Sequence, residues 1–267
     1  MTIFKDTNVK TGLDRNRVAD QIFRELRDLI ILGTFVKGEK LPAERELASR
    51  YKVSGPTIRE AIRALAALGL VNVRHGSGTY VTADSETLIA MSLGTVIQLE
   101  GLGVSDVLTI LSVLNAKSAE LACTAATQED KDLLVTVINE FKEITSISEA
   151  VAAIRNFHQA IAAAAHNPLL SAICGFLVDI QTELAEILAD GSFEEWQRVF
   201  AQLGPIREKL VEDILTGDKE SAVKQARKFH VMAFELIQTF PKAREARLTD
   251  PELRLVLASM MSRIGKE

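Results

Sequence analysis

Hydrophobic positions along the N-terminal third recur at helical spacing. Val18, Ile22, Leu26, Leu29 and Ile30 mark an amphipathic helix over 16–33, which Gly33 ends. A second helix follows Leu41-Pro42 and covers Ala43 to Tyr51. After the short Lys52-Val53 connection, Ser54 is the predicted N-cap, with Pro56 in the first turn of a third helix. That helix runs to Leu68, exposes Gly55, Pro56 and Thr57 at its start, and stops at Gly69. The stretch VNVRHGSGTYVT over 71–82 then changes period, with β-branched residues on both sides of a glycine turn, and predicts a hairpin.

Beyond Asp84 the strand signals fade. Ala/Leu/Ile-rich stretches are broken at 101–103, 127–130, 145–148, Asn167-Pro168, Gly191-Ser192, Gly204-Pro205 and 216–218, which predicts about six helices. Near the end, LTDPELRLVLASMMSRI places Asp250 as an N-cap and Pro251 at the first helical position. Leu253, Val256, Leu257, Met260, Met261 and Ile264 share one broad face, suited to packing on this chain or on a partner subunit. The expected fold is mainly α: a winged helix-turn-helix at 1–82, a connecting segment at 83–103, an all-helical antiparallel bundle at 104–240 and an amphipathic helical extension at 241–267.

Charge sharpens this division. The 267 residues carry a net charge of −5, which by itself argues against a nucleic-acid partner. Residues 1–82 hold 14 Lys and Arg against 9 Asp and Glu, a net of +5, and the remainder carries −10. A basic part joined to an acidic part implies two tasks. Cys123 and Cys174 lie in apolar helical context, as expected of buried thiols in a reducing compartment. The N-terminus, MTIFKDTNVK, has no apolar signal-peptide region. The uncharged stretch 156–178 is long enough to span a bilayer, but His158, Gln159, His166, Asn167 and Pro168 argue against a span. A cytoplasmic protein is expected.

On the third helix Ile58, Ile62 and Leu65 face the core, while Arg59 and Arg63 project from the opposite face. Arg59 is placed to reach guanine or a phosphate in a major groove, and Arg74 and His75 stand beside wing glycines that let backbone approach a phosphate. The competing reading is a solvated basic face and an ordinary hairpin. The order of elements favours double-stranded DNA as the partner.

In the helical part, three polar side chains fall on apolar faces. His158 lies with Ile154, Ile161 and Ala165. His230 lies with Val223, Ala226, Ala233, Phe234 and Ile237, and Arg207 with Leu203, Leu210 and Ile214. They converge in a ligand site, or they are hydrogen-bonded core residues, which is the commoner fate of a lone buried His. His166 reads as a turn residue and Trp196 as core packing.

The run LPAERELASRYKVSGPTIREAIRALAALGLVNVRHGSGTYV, from Leu41 to Val81, resembles the N-terminal domain of GntR-type bacterial transcription regulators. The resemblance places Arg45, Thr57, Arg59, His75 and Gly76 at DNA-contacting positions. It also marks departures: Gly55 stands where the family usually has Arg, and Ala43 replaces a common capping Ser. Asp106-Val107-Leu108, FHQAIAAAAHNPLL (157–170) and ILTGDKESAVKQARKFH (214–230) resemble the FCD effector domain of the fatty-acid-regulator subgroup, over roughly 105–240. That resemblance implies a helical bundle around a ligand site, often with a divalent metal held by one Asp and three His. His158 and His230 match two of those ligands, but Ile154 replaces the Asp and Arg207 the third His. A guanidinium repels a cation, and two imidazoles are too few to hold a divalent ion. A first-helix Arg and Glu are likewise replaced by Leu111 and Asn115.

The expected effector is therefore an anion or neutral molecule held by Asn115, His158, Arg207 and His230, with Arg207 supplying a fixed positive charge for a carboxylate or phosphate. Ile154 and Leu111 would suit an effector with an apolar part. The function implied is a ligand-responsive transcription regulator, a repressor, acting as a homodimer on an inverted repeat. The alternatives are a metal-dependent enzyme on the helical part, or a winged helix used for protein contacts. No nucleophile elbow, P-loop or dinucleotide fingerprint supports an enzyme.

Overall fold

The computed structural model of the chain describes residues 15–74, 76–82, 85–188, 193–237 and 239. Its contacts divide into two compact units between Leu88 and Ile89. His75 and the predicted C-terminal extension at 241–267 lie outside the described residues.

The first unit contains α1 (Arg15–Ile31), α2 (Glu44–Tyr51), α3 (Gly55–Ala67), β1 (Val71–Arg74) and β2 (Gly78–Val81). Ile22, Leu26 and Ile30 of α1, Leu47 and Tyr51 of α2, and Ile58, Ile62 and Leu65 of α3 form one apolar core, closed by Val71 and Val81 of the hairpin. The turn between α2 and α3 is short because Lys52 adopts a left-handed conformation (φ 53°), and the Val53 N–H returns to the Ala48 carbonyl at 3.0 Å. Ser54 occupies the N-cap position of α3 without capping it; its hydroxyl instead pairs with Thr57 Oγ1 at 2.9 Å. The hairpin is antiparallel with Val71 opposite Val81 and Arg74 opposite Gly78. A feature the periodicity did not predict is a third extended segment. Gly38 and Leu41 donate to the carbonyls of Val81 and Thr79 at 2.8 Å, so Lys40 pairs with Tyr80 along the edge of β2.

The second unit is a helical bundle. α4 (Ser85–Glu100) enters it, followed by α5 (Val104–Ala125), α6 (Gln128–Glu140), α7 (Ile147–Ala164), α8 (Pro168–Leu188), α9 (Phe193–Thr216) and α10 (Lys219–Ile237). The segment expected only as a connector is thus helical over most of its length. Leu88, the last described residue of the first unit, packs on that unit's own core. Thr127 caps α6, with its hydroxyl accepting from Asp130 N–H and Asp130 accepting in return, and Ser146 caps α7. α5 is long and apolar enough to cross a membrane by length and composition. Here its apolarity has a packing reason, because α5 lies against α7, α8, α9 and α10.

One predicted break is absent. Gly204-Pro205 lies inside α9, which continues to Thr216. Pro205 removes one helical hydrogen bond at a cost of roughly 3 kcal/mol, while each buried aliphatic side chain returns about 1.5–3 kcal/mol. Leu203, Ile206, Leu210, Val211 and Ile214 are all buried on this helix, so packing outweighs the breaker. The Arg207 Nη2 also donates to the Phe200 carbonyl at 3.3 Å, within the same stretch.

Candidate functional sites in two units

In the first unit, α3 presents Arg59 and Arg63 outward, and α2 presents Arg45; all three are exposed. Arg59 Nε lies 3.8 Å from the Glu44 carboxylate, a solvent-exposed pair that competes weakly with a phosphate. Thr57 departs from expectation. It is only 5% exposed, and its hydroxyl faces Ser54. It was expected at the exposed helix start, but Ile58 and Thr57 turn inward together, so its observed contact stabilises the turn. A side chain at Gly55 would meet open space, so its glycine is not a packing requirement.

The wing brings together residues from separate segments. The Arg74 guanidinium carbon sits 4.8 Å from the Tyr80 ring centroid and Lys40 Nζ 5.8 Å from it, while Ser77 Oγ pairs with Tyr80 Oη at 2.8 Å. Gly76 has φ +73° and Gly78 φ +125°, conformations that favour glycine. Lys40 and Tyr80 were missed by sequence reasoning. Their only signal was the alternation of β2, which buries Thr79 and Val81 and leaves Tyr80 on the outer side.

In the second unit, four helices contribute one buried polar side chain each. Asn115 of α5, His158 of α7, Arg207 of α9 and His230 of α10 are all at least nine-tenths buried. Asn115 Nδ2 lies 2.8 Å from His230 Nε2 and 3.2 Å from His158 Nδ1, and the two imidazole centroids are 5.6 Å apart. Asn115, His158 and His230, from three separate helices, therefore form one cluster. Phe157 and Phe229 pack edge-on against His158, at 5.1 and 5.5 Å. Burial drives His230 down to about 4, and burial, His230 and Arg207 together hold His158 well below the ordinary range. Both rings are neutral at neutral pH.

Arg207 is 2% exposed, and its charge is felt at His158. Its guanidinium carbon lies 3.7 Å from the Phe141 centroid and 5.4 Å from that of Phe200. Burial lowers its pKa to about 10, so it stays charged at neutral pH. The Glu208 carboxylate acts on it in the opposite sense to burial, and its Nε and Nη1 have no hydrogen-bond partner among the described residues. His158 Nε2 and Asn115 Oδ1 are also buried without partners.

Among the described residues, no three His, Cys, Asp or Glu side chains come together as a metal site. The residues present do not fit the divalent ion that the family resemblance implied. Asn115 spans the two imidazoles, Ile154 packs in the Trp196 cluster, and the remaining ligand position holds a cation. Trp196 is core, packed on Ala150 and Val151. His166 is a turn residue with φ 47°, paired with Asp130 at 2.7 Å. Cys123 and Cys174 are free thiols, half-buried and buried.

Residues 18–81 match the sequence family described as bacterial regulatory proteins, gntR family, and residues 106–232 match the FCD domain. The Uxu operon regulator of Haemophilus influenzae is 32% identical over 168 residues, covering 62% of this chain and 62% of its own, so this chain matches just under two thirds of that relative's length. The transcriptional repressor NanR of Escherichia coli is 29% identical over 197 residues, 71% of this chain and 74% of its own. Streptococcus agalactiae GntR superposes with a TM-score of 0.64 at 21% identity, covering 81% of this chain and 99% of that one, a likeness of fold. The named relatives regulate transcription, in agreement with the expectation of a regulator and not an enzyme.

Proposed function

The chain belongs to the GntR family of bacterial regulatory proteins, as a transcriptional regulator with an FCD effector-binding domain, and on that footing we propose how it works. It binds an inverted-repeat operator as a homodimer, with one α3 in each major groove. Arg59 reads a base edge, while Arg45, Arg63 and the wing residues Arg74, His75 and Gly76 hold phosphates. The exposure of Arg45, Arg59, Arg63 and Arg74 on a basic unit supports this reading. Thr57 acts behind that surface, through Ser54.

A small anionic effector binds in the helical unit at Asn115, His158, Arg207 and His230. The observation that carries this is the buried Arg207, whose Nε and Nη1 have no hydrogen-bond partner among the described residues. A protein bears such a group when a ligand completes it. The protein acts as a repressor. Operator binding is the default, and the effector relieves it. The repressor NanR among its relatives fits that sense. The segment 83–103 carries the bias between the units. Ile110 and Val113 of α5 and Leu169 of α8 are exposed apolar residues that support a dimer face on the helical unit. Working on the chromosome, it acts in the cytoplasm.

Selection from random DNA tests the reading. An enriched palindrome with one arm per subunit is the expected result, and the absence of any enriched sequence would remove the DNA-binding proposal.

A further inference from the structure

The wing holds a charge that the recognition residues do not account for. Taking the first unit as the DNA-binding part, we propose that Lys40 binds the phosphate backbone together with Arg74, and that Tyr80 is the positioning residue that aims both cations. The segment 38–41 thereby becomes a third part of the DNA-contacting wing.

Lys40 is fixed at its backbone. The N–H groups of Gly38 and Leu41 donate to the Val81 and Thr79 carbonyls at 2.8 Å, and the Val81 N–H donates to the Glu39 carbonyl at 2.8 Å. These bonds set Lys40 opposite Tyr80 in an antiparallel pair. Residues directly opposite each other share a face of the sheet, so the two side chains leave together. The Lys40 stem crosses Gly78, where an added Cβ would collide with the Lys40 Cε. Gly78 therefore serves twice, through its φ of +125° and through the room it gives Lys40.

Tyr80 gathers the charges. Its partner on β1 is Asn72, so Arg74 lies on the diagonal and shares the same face. Two cations result about one ring, Arg74 at 4.8 Å and Lys40 at 5.8 Å from its centroid. Ser77 holds the ring at its hydroxyl at 2.8 Å, and the Ser77 N–H returns to the Arg74 carbonyl at 3.0 Å. Among the described residues neither cation forms an ion pair, whereas Arg59 has the Glu44 carboxylate at 3.8 Å. Like charges held side by side repel, and an aromatic face offsets part of that. A polyanion passing over Tyr80 relieves the repulsion, and double-stranded DNA supplies a row of phosphates. An ammonium suits a phosphate as a point charge, and such a contact is blind to sequence.

The test is fluorescence anisotropy of the full chain at a series of salt concentrations, on the palindrome enriched from random DNA and on its scrambled duplex. Lys40→Met keeps the stem and removes the charge. It should weaken binding to both duplexes at least about threefold and make the slope of log affinity against log salt shallower by about one per bound chain. Base preference should not change. Lys40→Arg should retain most of the affinity. Tyr80→Val keeps strand propensity but removes the ring, and should weaken binding by a similar factor. In that background Lys40→Met should cost less than it does in the parent, because the two residues act as a unit. Tyr80→Phe keeps the ring and should bind nearly as the parent does. Lys40 is exposed, so Lys40→Met is expected to fold whatever Tyr80→Val does to the hairpin. A Lys40→Met protein with the parent's affinity and salt slope would overturn the proposal and leave Lys40 as a charge that guards an open strand edge. Fully additive losses in the double variant would remove Tyr80 as the positioning residue. An enriched palindrome bound normally by Lys40→Met sinks this proposal alone, whereas the absence of any enriched sequence removes the DNA-binding reading and this proposal with it.

Discussion

The guanidinium of Arg207 lies 3.7 Å from the ring centroid of Phe141, and this contact takes the place of an ion pair. A cation over an aromatic face recovers part of its lost hydration, about 2 kcal/mol when desolvated. That falls short of the several kcal/mol that burying a charge costs. An anion beside the guanidinium would therefore stabilise the helical unit.

Replacing the buried charge should stabilise the empty protein. Arg207→Met, similar in length and apolar, is expected to raise unfolding free energy by about 1–4 kcal/mol. Denaturation in urea without added anions measures it. A loss of stability would mean that Arg207 is a structural residue with partners of its own.

Acid should weaken the fold above the range in which carboxylates titrate. Both His158 and His230 are depressed, His230 to about 4, mainly by burial. As pH falls below about 6.5 the unfolded chain takes up these protons first, so stability declines with falling pH through the window down to about 4. Each histidine contributes a slope of about 1.4 kcal/mol per pH unit inside that window. Urea denaturation at a series of pH values, repeated on His230→Phe, checks it. Identical pH dependence in the two proteins would contradict the buried neutral imidazole.

The recognition face should respond in two distinct ways. Arg59→Ala should cost about 1–3 kcal/mol of operator binding and relax preference at one base position. Glu44→Gln releases Arg59 from an exposed pair, so stability should change by less than about 1 kcal/mol while DNA affinity at low salt rises. Fluorescence anisotropy with operator and scrambled duplexes separates these outcomes. An unchanged or weaker affinity in Glu44→Gln would remove the proposed competition.

Thr57 should matter to the fold more than to DNA. Thr57→Val breaks the 2.9 Å contact with Ser54 and is expected to cost about 1 kcal/mol of stability. Operator affinity of the folded fraction should be nearly unchanged. Lost DNA binding in a fully stable protein would return Thr57 to the interface.

The winged helix was legible in the sequence because Ile22, Leu26, Ile58, Ile62 and Leu65 repeat at helical spacing and all are buried. The Lys40–Tyr80 pairing was not, because a single bridge carries no period of its own. The Gly204-Pro205 break was predicted from local propensity, and tertiary burial of Leu203, Ile206 and Leu210 overrode it. His158, His230 and Arg207 were recognisable as polar residues on apolar faces. That Asn115 joins the two imidazoles depends on three helices meeting, and sequence spacing contains no such distance. Thr57 was misplaced because the helix start was read as a free end, whereas the core claims Thr57 along with Ile58.

The central claim is that an anion at Arg207 controls DNA binding. Its most direct test is the operator affinity of the parent and of Arg207→Met, measured with and without the small carboxylate that gives the largest thermal shift. The account predicts that the anion weakens operator binding by the parent and leaves Arg207→Met bound as before. An equal response in both proteins, or none in either, would contradict it.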